Sequence, residues 1–173
     1  MIICISGMSG SGKTTIARML ADELKIRHVN RSFKEFATGK QLVAFQKRVK
    51  PSFDRSFDKE IIREAKSADS VVSTWFGPWM VKDSSLNVWL RAGLETRVRR
   101  IASANHLALR EARSYIKRKD GNNILRARKV YGIDIVNDHS VFDIEINTER
   151  MKPKEEVALI AMLSVERGGK RFK

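Results

Sequence analysis

Eight residues near the N-terminus have the types and spacing of a phosphate-binding loop. They are Gly7-Met8-Ser9-Gly10-Ser11-Gly12-Lys13-Thr14, followed by Thr15, and they match G-x-x-x-x-G-K-[ST] at every fixed position. Glycines let such a loop curl so that backbone N–H groups point at phosphate oxygens. Lys13 is then placed to reach the β- and γ-phosphates, and the Thr14 hydroxyl to bind Mg²⁺. The motif predicts a site for a nucleoside triphosphate with Mg²⁺.

The residues on both sides of this loop supply the context that the motif requires. Residues 1–6 form a short apolar, β-branched run, which is typical of a buried parallel strand. Residues 15–24 carry Ile16, Met19 and Leu20 at helical spacing. The loop therefore lies between a strand and a helix, whose N-terminus adds partial positive charge at the phosphate site. A Gly-Ser turn that happens to precede a lysine is the alternative, and it would not need this setting.

The composition suits one globular domain with a hydrophobic core. The chain has 173 residues, 42% of them hydrophobic, and no apolar run approaches the ~18 residues of a membrane-spanning helix. Residues 1–6 lack the charged region and the cleavage site of a secretory signal, so we expect a cytoplasmic protein with no membrane partner. We also expect a monomer. The one cysteine, Cys4, excludes an internal disulfide and is expected to be a small buried side chain.

The strongly basic charge predicts anionic partners. The 34 lysines and arginines exceed the 20 acidic residues by 14, and residues 91–131 alone hold 12 basic and 3 acidic side chains. Such charge favours small nucleotides with several phosphates, or nucleic acid polymers. A solvated helical face is the alternative explanation of the basic segment.

Strand-like and helical patterns alternate along the chain, which predicts an α/β fold with a parallel sheet. Five segments have the pattern of strands: residues 1–6, 27–29, 70–74, 86–90 and 142–146. Helical patterns fall between these segments. We expect one domain, residues 1–173, in which a five-stranded parallel sheet is flanked by helices.

A first helical insertion is predicted at about residues 30–66. Its helices are expected at residues 33–37, 41–49 and 54–65. Pro51 is expected to end the second of these helices, and Asp54 to cap the third at its N-terminus.

A second, basic insertion is predicted at about residues 107–131. Its helical pattern contains Asp120-Gly121-Asn122-Asn123, a run of turn residues that is expected to interrupt the helix. After the last predicted strand, Pro153 is expected to open a final helix, and residues 166–173 to form a loose basic tail.

With a short sheet, an early phosphate loop and two helical insertions, the chain resembles nucleoside monophosphate kinases, and more narrowly the short, archaeal-type cytidylate kinases. The similar stretches are residues 7–15, Asp54-Arg55…Asp58, Trp89-Leu90-Arg91-Ala92, Arg100-Ile101-Ala102, Tyr131-Gly132-Ile133-Asp134 and Phe142-Asp143…Ile146-Asn147-Thr148. The resemblance spans nearly the whole chain. It implies the P-loop kinase fold with acceptor-binding and lid insertions, and transfer of a phosphoryl group from ATP to CMP or dCMP with Mg²⁺.

The resemblance also implies roles by position. The phosphate loop, residues 7–15, would hold ATP, with Arg100 against the adenine ring and Asn147 in the loop that borders the same ring. Arg118 and Arg126 would belong to the lid and fold over the transferring phosphoryl group. Such transfer asks the protein chiefly for alignment and for positive charge on the phosphoryl oxygens.

The chain departs from that family where the acceptor would bind. After the third predicted strand the family usually has Glu-Gly-Arg, whereas this chain has Ser73-Thr74-Trp75. The arginine that would grip the acceptor phosphate is therefore missing. Arg31, Arg55 or Arg63 is expected to supply that contact.

For other residues of the acceptor region, two interpretations remain open in each case. Asp54 and Asp58 lie one helical turn apart, and they either receive hydrogen bonds from the acceptor base or an arginine, or form an N-cap and a surface pair. Trp75 and Phe76 either stack on the acceptor base or form a hydrophobic plug under the sheet.

Three functions remain open from the sequence. The first is an ATP-dependent nucleoside monophosphate kinase acting on CMP or dCMP. The second is a P-loop kinase with another small acceptor, either a different nucleotide or a nucleoside. The third is an ATP-binding module that uses its basic surface on RNA and has weak transfer activity, although the chain has no further nucleic-acid motif.

Overall fold

The computed structural model describes residues 1–30 and 51–168 of the chain, and for residues 51–54, 167 and 168 it describes the backbone alone. The helices predicted at residues 33–37 and 41–49 lie outside the described residues. Arg31 and the side chain of Asp54 lie outside them as well.

A five-stranded parallel sheet forms the centre of the described chain, as the sequence predicts. Its strands in chain order are β1 (Ile2–Gly7), β2 (Arg27–Val29), β3 (Ser70–Ser73), β4 (Leu86–Arg91) and β5 (Ile144–Asn147). They are arranged as β2-β3-β1-β4-β5, with every neighbouring pair parallel. β1 is central and buried at all six positions, because helices cover both faces of the sheet.

Six α-helices are present in residues 1–30 and 51–168. They are α1 (Lys13–Leu24), α2 (Pro51–Lys66), the short α3 (Gly77–Met80), α4 (Leu94–Asn105), α5 (Leu109–Arg126) and α6 (Pro153–Gly168). A π-helical turn, Ala127–Tyr131, continues α5. α6 opens at Pro153 as expected and reaches Gly168, within the segment assigned to the tail. In the described part of the chain, none of these helices has the length and apolarity needed to cross a membrane.

Alternate residues of β1 face opposite sides of the sheet and enter two separate cores. On one side Ile5 packs with Leu20 of α1 and Ile160 of α6. On the other side Cys4 packs with Ile61 of α2. Cys4 is fully buried, as expected, and burial raises the pKa of its thiol to about 12, so it is no nucleophile.

The predicted interruption of the lid helix is wrong. α5 runs without a break from Leu109 to Arg126, across all four turn-forming residues. Asp120 is buried there by contacts with distant residues, and Gly121 faces solvent with no atom within 4 Å of the position that a Cβ would take. Tertiary contacts therefore override the low helix propensity of this run.

The start of the third predicted helix is also wrong. The described part of α2 already includes Pro51, three residues before Asp54, so Asp54 lies inside the helix and cannot be its N-cap. Pro51 belongs to α2, and the preceding helix that it is expected to end lies outside the described residues.

Candidate functional site

The phosphate loop joins β1 to α1 in a conformation that only its glycines allow. Gly10 and Gly12 have φ angles of 80° and 104°, which residues with side chains rarely adopt. A Cβ at Gly10 would lie 2.9 Å from the Arg97 carbonyl oxygen, so the loop packs directly on α4. α1 begins at Lys13, and its unpaired N–H groups and partial positive charge face the loop. The strand–loop–helix arrangement is therefore the one predicted.

Lys13 lies at the end of this loop, half-buried, with its ammonium close to two neighbours. Its Nζ donates a hydrogen bond to the Met8 carbonyl oxygen at 2.9 Å and lies 5.4 Å from the centroid of the Trp75 ring. The pKa of Lys13 falls to about 7, chiefly because of burial and then because of the positive charge of Lys119, whereas Asp120 acts in the opposite direction. Phosphate oxygens bound beside Lys13 would raise its pKa, so that its amine would take up a proton.

A cavity of about 1030 Å³ opens beside the loop, and four groups of residues line it. The loop itself contributes residues Ser9, Gly10, Ser11, Gly12, Lys13, Thr14 and Thr15. The α4–α6 side consists of Arg100, Ile101, Ala104, Thr148, Pro153 and Glu156. The β3 side consists of Asn30, Phe57, Asp58, Ser73, Thr74, Trp75, Phe76 and Tyr131. α5 contributes Tyr115, Arg118, Lys119, Asn122, Asn123 and Arg126.

On the α4–α6 side, Arg100 is fixed by hydrogen bonds. It donates to the Thr148 carbonyl oxygen at 2.7 Å, to Thr148 Oγ1 at 2.8 Å and to the Ser11 carbonyl oxygen at 3.3 Å. Glu156 is 2% exposed, and burial raises the pKa of its carboxyl to about 7 although Arg100 acts in the opposite direction. This side of the cavity therefore presents an immobilised guanidinium and a buried acid.

On the β3 side, aromatic rings line the cavity beside Lys13. Trp75 is only 8% exposed and belongs to a cluster with Phe76 and Trp89, yet it also borders the cavity. The Tyr131 hydroxyl donates a hydrogen bond to Asp58, which links the end of the lid region to α2. The plug interpretation of Trp75 and its place in the site are therefore compatible.

Several residues singled out in the sequence do not line the cavity. Gly7 ends β1 and Met8 follows it, and neither residue lines the cavity. Asn147 ends β5, and its Oδ1 accepts a hydrogen bond from the Glu149 N–H at 3.1 Å. Arg55 is exposed and outside the lining, and exposed Arg63 pairs with Glu60 at 2.6 Å. Neither arginine of α2 therefore faces the position that Trp75 occupies.

A sequence model of the cytidylate kinase-like family matches residues 2–150. The chain belongs to this family. Cytidylate kinases of Pyrococcus horikoshii and Sulfolobus acidocaldarius are 34% and 36% identical to it, cover 92% of the chain each, and are themselves covered over 86% and 92% of their lengths. The shikimate kinase of Acinetobacter baumannii, at 18% identity, superposes with a TM-score of 0.62 and covers 98% of this chain and 95% of its own. The P-loop kinase fold and the class of phosphotransferase enzyme follow.

Two groups in this member of the family were not found from its sequence. Lys119 adds a further cation to the α5 lining of the cavity. Arg97 and Asp120 form a buried ion pair against the phosphate loop. The signal for Asp120 was hidden, because the run around it has the composition of a turn, and its partners lie 23 and 111 residues away in the chain.

Proposed function

We propose that this protein transfers the γ-phosphoryl group of ATP to CMP or dCMP. The observation that carries the proposal is that one cavity joins the phosphate loop to the β3 side, under the basic face of α5. Relatives named cytidylate kinase match this chain over 92% of its length. A triphosphate on the loop and a monophosphate on the β3 side would then meet beside Lys13.

The loop suits the triphosphate of ATP with Mg²⁺. The glycine conformations bring backbone N–H groups to one side, and exposed Thr14 borders the cavity with its hydroxyl at the start of α1. Bound Mg²⁺ would supply positive charge to the β- and γ-phosphate oxygens, and Thr14 would be its ligand from the protein. The immobilised Arg100 offers a flat guanidinium on which an adenine ring can stack.

Among the described residues, one would bind the phosphates of ATP and others would supply positive charge to the transferring group. Lys13 would leave the Met8 carbonyl and bind the β- and γ-phosphates as an ammonium. Arg118, Lys119 and Arg126 would surround the transferring group with positive charge, which stabilises the charge spread over its equatorial oxygens. Enclosure by α5 would keep water away from the phosphoryl group, so that it passes to the acceptor and not to water.

On the acceptor side, Asp58 and the aromatic side chains would bind the pyrimidine. Asp58, 8% exposed and already bonded by Tyr131, is an acceptor for the amino group of cytosine. Trp75 offers a ring face and one neutral N–H, which does not hold a phosphate as an arginine does. We infer a weakly held acceptor phosphate and reduced discrimination among monophosphates.

The test is ADP release from ATP and Mg²⁺ with a panel of nucleoside monophosphates and nucleosides. We expect activity with CMP and dCMP that Lys13→Ala abolishes, whereas Lys82→Ala, which removes an exposed lysine outside the cavity, keeps parental activity. Thr14→Ala should raise the Mg²⁺ concentration needed for half-maximal rate. Activity with a nucleoside alone would favour the second function, a P-loop kinase with another small acceptor. Absence of turnover with every compound would refute the proposal.

A further inference from the structure

A buried ion pair joins α4 to α5 at the edge of the cavity. Arg97 Nη1 and Asp120 Oδ2 are 2.6 Å apart, and their side chains are only 10% and 8% exposed. Burying two charges is costly, and an apolar pair of similar size often gives equal or greater stability. Stability alone therefore does not explain why this position holds charged residues.

The same two side chains hold both backbone groups of one residue of the phosphate loop. Asp120 Oδ1 accepts a hydrogen bond from the Ser9 N–H at 3.2 Å, and Arg97 Nη1 donates to the Ser9 carbonyl oxygen at 3.1 Å. Gly10, the next residue, is pressed against the Arg97 backbone. Loop, α4 and α5 thus meet at Ser9, and an apolar pair could not make these contacts.

The position of Asp120 on α5 fixes which side chains face the cavity. Lys119 and Arg126 line the cavity, whereas Ala112 and Ile116 pack against Val98 and Ala102 of α4. Asp120 follows Lys119 by one residue, about 100° around the helix, and so lies toward the α4 side. Tying Asp120 to Ser9 therefore sets both the rotation of α5 and its height above the loop.

We propose that Arg97 and Asp120 form a latch that holds α5 over the phosphate loop, and that Asp120 is a positioning residue for Lys119 and Arg126. This inference rests on the proposed function, because these cations matter only if phosphoryl transfer occurs beneath them. Displacing a charged group by about 1 Å from its place in a transition state can cost about 10²-fold in rate. The latch therefore acts on kcat more than on the binding of ATP.

The kinetic test replaces the whole latch, so that neither charge is left buried alone. In Arg97→Met/Asp120→Leu we expect kcat to fall about 10²-fold, while KM for ATP changes less than about threefold. Glu95→Gln is the matched control, because Glu95 and Arg113 also bridge α4 and α5 but as an exposed pair. The control should keep parental kcat. A double variant that folds and keeps parental kcat would overturn the latch.

A second measurement needs neither turnover nor a folded variant. In the parent protein without nucleotide, amide hydrogens of residues 117–126 should exchange as slowly as those of α4, because the latch closes α5 before ligand binds. Near-unprotected exchange over residues 117–126 would overturn the proposal even if the double variant does not fold. If the parent makes no CDP but α5 is protected and the double variant frees it, the proposed function fails and the latch stands.

Discussion

Lys13 would change both its partners and its charge when ATP binds in the site that we propose. Its Nζ lies beside a carbonyl oxygen and an aromatic ring, and burial lowers its pKa to about 7. The unperturbed pKa of lysine is about 10.4, so this environment disfavours the charged form. Phosphate oxygens would favour the charged form, so binding of ATP should be linked to a proton.

The sign of this linkage gives the first prediction. At about pH 8, one unit above the pKa, Lys13 is roughly nine-tenths neutral, so ATP binding should take up nearly one proton at this residue. At about pH 6 it is already charged, and this uptake should vanish. The measurement is calorimetry of ATP binding in two buffers of different ionisation enthalpy. Lys13→Met, which cannot titrate, gives the baseline, and equal uptake in parent and variant would contradict the prediction.

Trp75 is the second residue whose identity has a measurable consequence. Trp75→Arg would restore the family's usual residue and should lower KM for CMP by the equivalent of about 1–3 kcal/mol, the scale of a charge-assisted hydrogen bond. Trp75→Phe keeps an aromatic ring without charge and should bring no such gain. KM should be measured for CMP, UMP and AMP. A parent with low micromolar KM for CMP alone would mean that the site is rebuilt around Trp75.

At the scale of elements, α5 is where sequence reasoning and structure differ most. Local composition indicates a turn at Asp120-Gly121-Asn122-Asn123, whereas contacts from α4 and from Ser9 hold a continuous helix. Local propensity is a weak guide where a distant residue supplies the deciding contact. The phosphate loop was predictable for the opposite reason, since its chemistry depends on residues adjacent in sequence.

A glycine substitution tests whether α5 is continuous. Gly121 lies inside the helix, faces solvent and has open space around it, so Gly121→Ala should raise the free energy of unfolding by about 0.5–1 kcal/mol. Gly132→Ala is the matched control, because Gly132 also has open space but a φ angle of 69°. It should destabilise by about 1–2 kcal/mol. Urea denaturation measures both, and a loss of stability in Gly121→Ala would indicate a turn.

The cations of α5 should act in the transition state. Arg118→Ala and Arg126→Ala should each lower kcat more than they change KM for ATP. A supplied arginine is worth about 10³–10⁵ in comparable transfers, and each loss should be smaller here because Lys119 shares the task. Arg110→Ala, on the same helix but outside the cavity lining, should leave kcat unchanged. Parental kcat in both lining variants would indicate that the basic segment is only a solvated helical face.

At the scale of the whole molecule, the parallel sheet was predictable because four of its five strands carry their own apolar signal, whereas β2 has only Val29. At the majority of strand ends, the predicted and observed bounds differ by one or two residues, and at the others they coincide. The convergence of side chains on the cavity was not predictable. Tyr131 and Asp58 are 73 residues apart in sequence, and no local pattern predicts that the π-helical turn after α5 contacts α2 there.

The net charge of +14 is likewise a property of the whole molecule, and it bears on the choice between a kinase and an RNA-associated module. The cavity accounts for part of this charge, since Lys13, Arg100, Arg118, Lys119 and Arg126 all line it.

We therefore expect only non-specific binding of single-stranded RNA, with Kd of about 10⁻⁴–10⁻⁶ M at physiological salt. The measurement is RNA affinity as a function of salt, with and without ATP, alongside CMP phosphorylation. RNA should neither compete with CMP at about 0.15 M salt nor respond to ATP, because salt screens exposed charges beyond about 8 Å and the phosphate loop lies in the cavity beneath α5. Binding near 10⁻⁸ M that ATP modulates would instead mark the basic surface as the functional one.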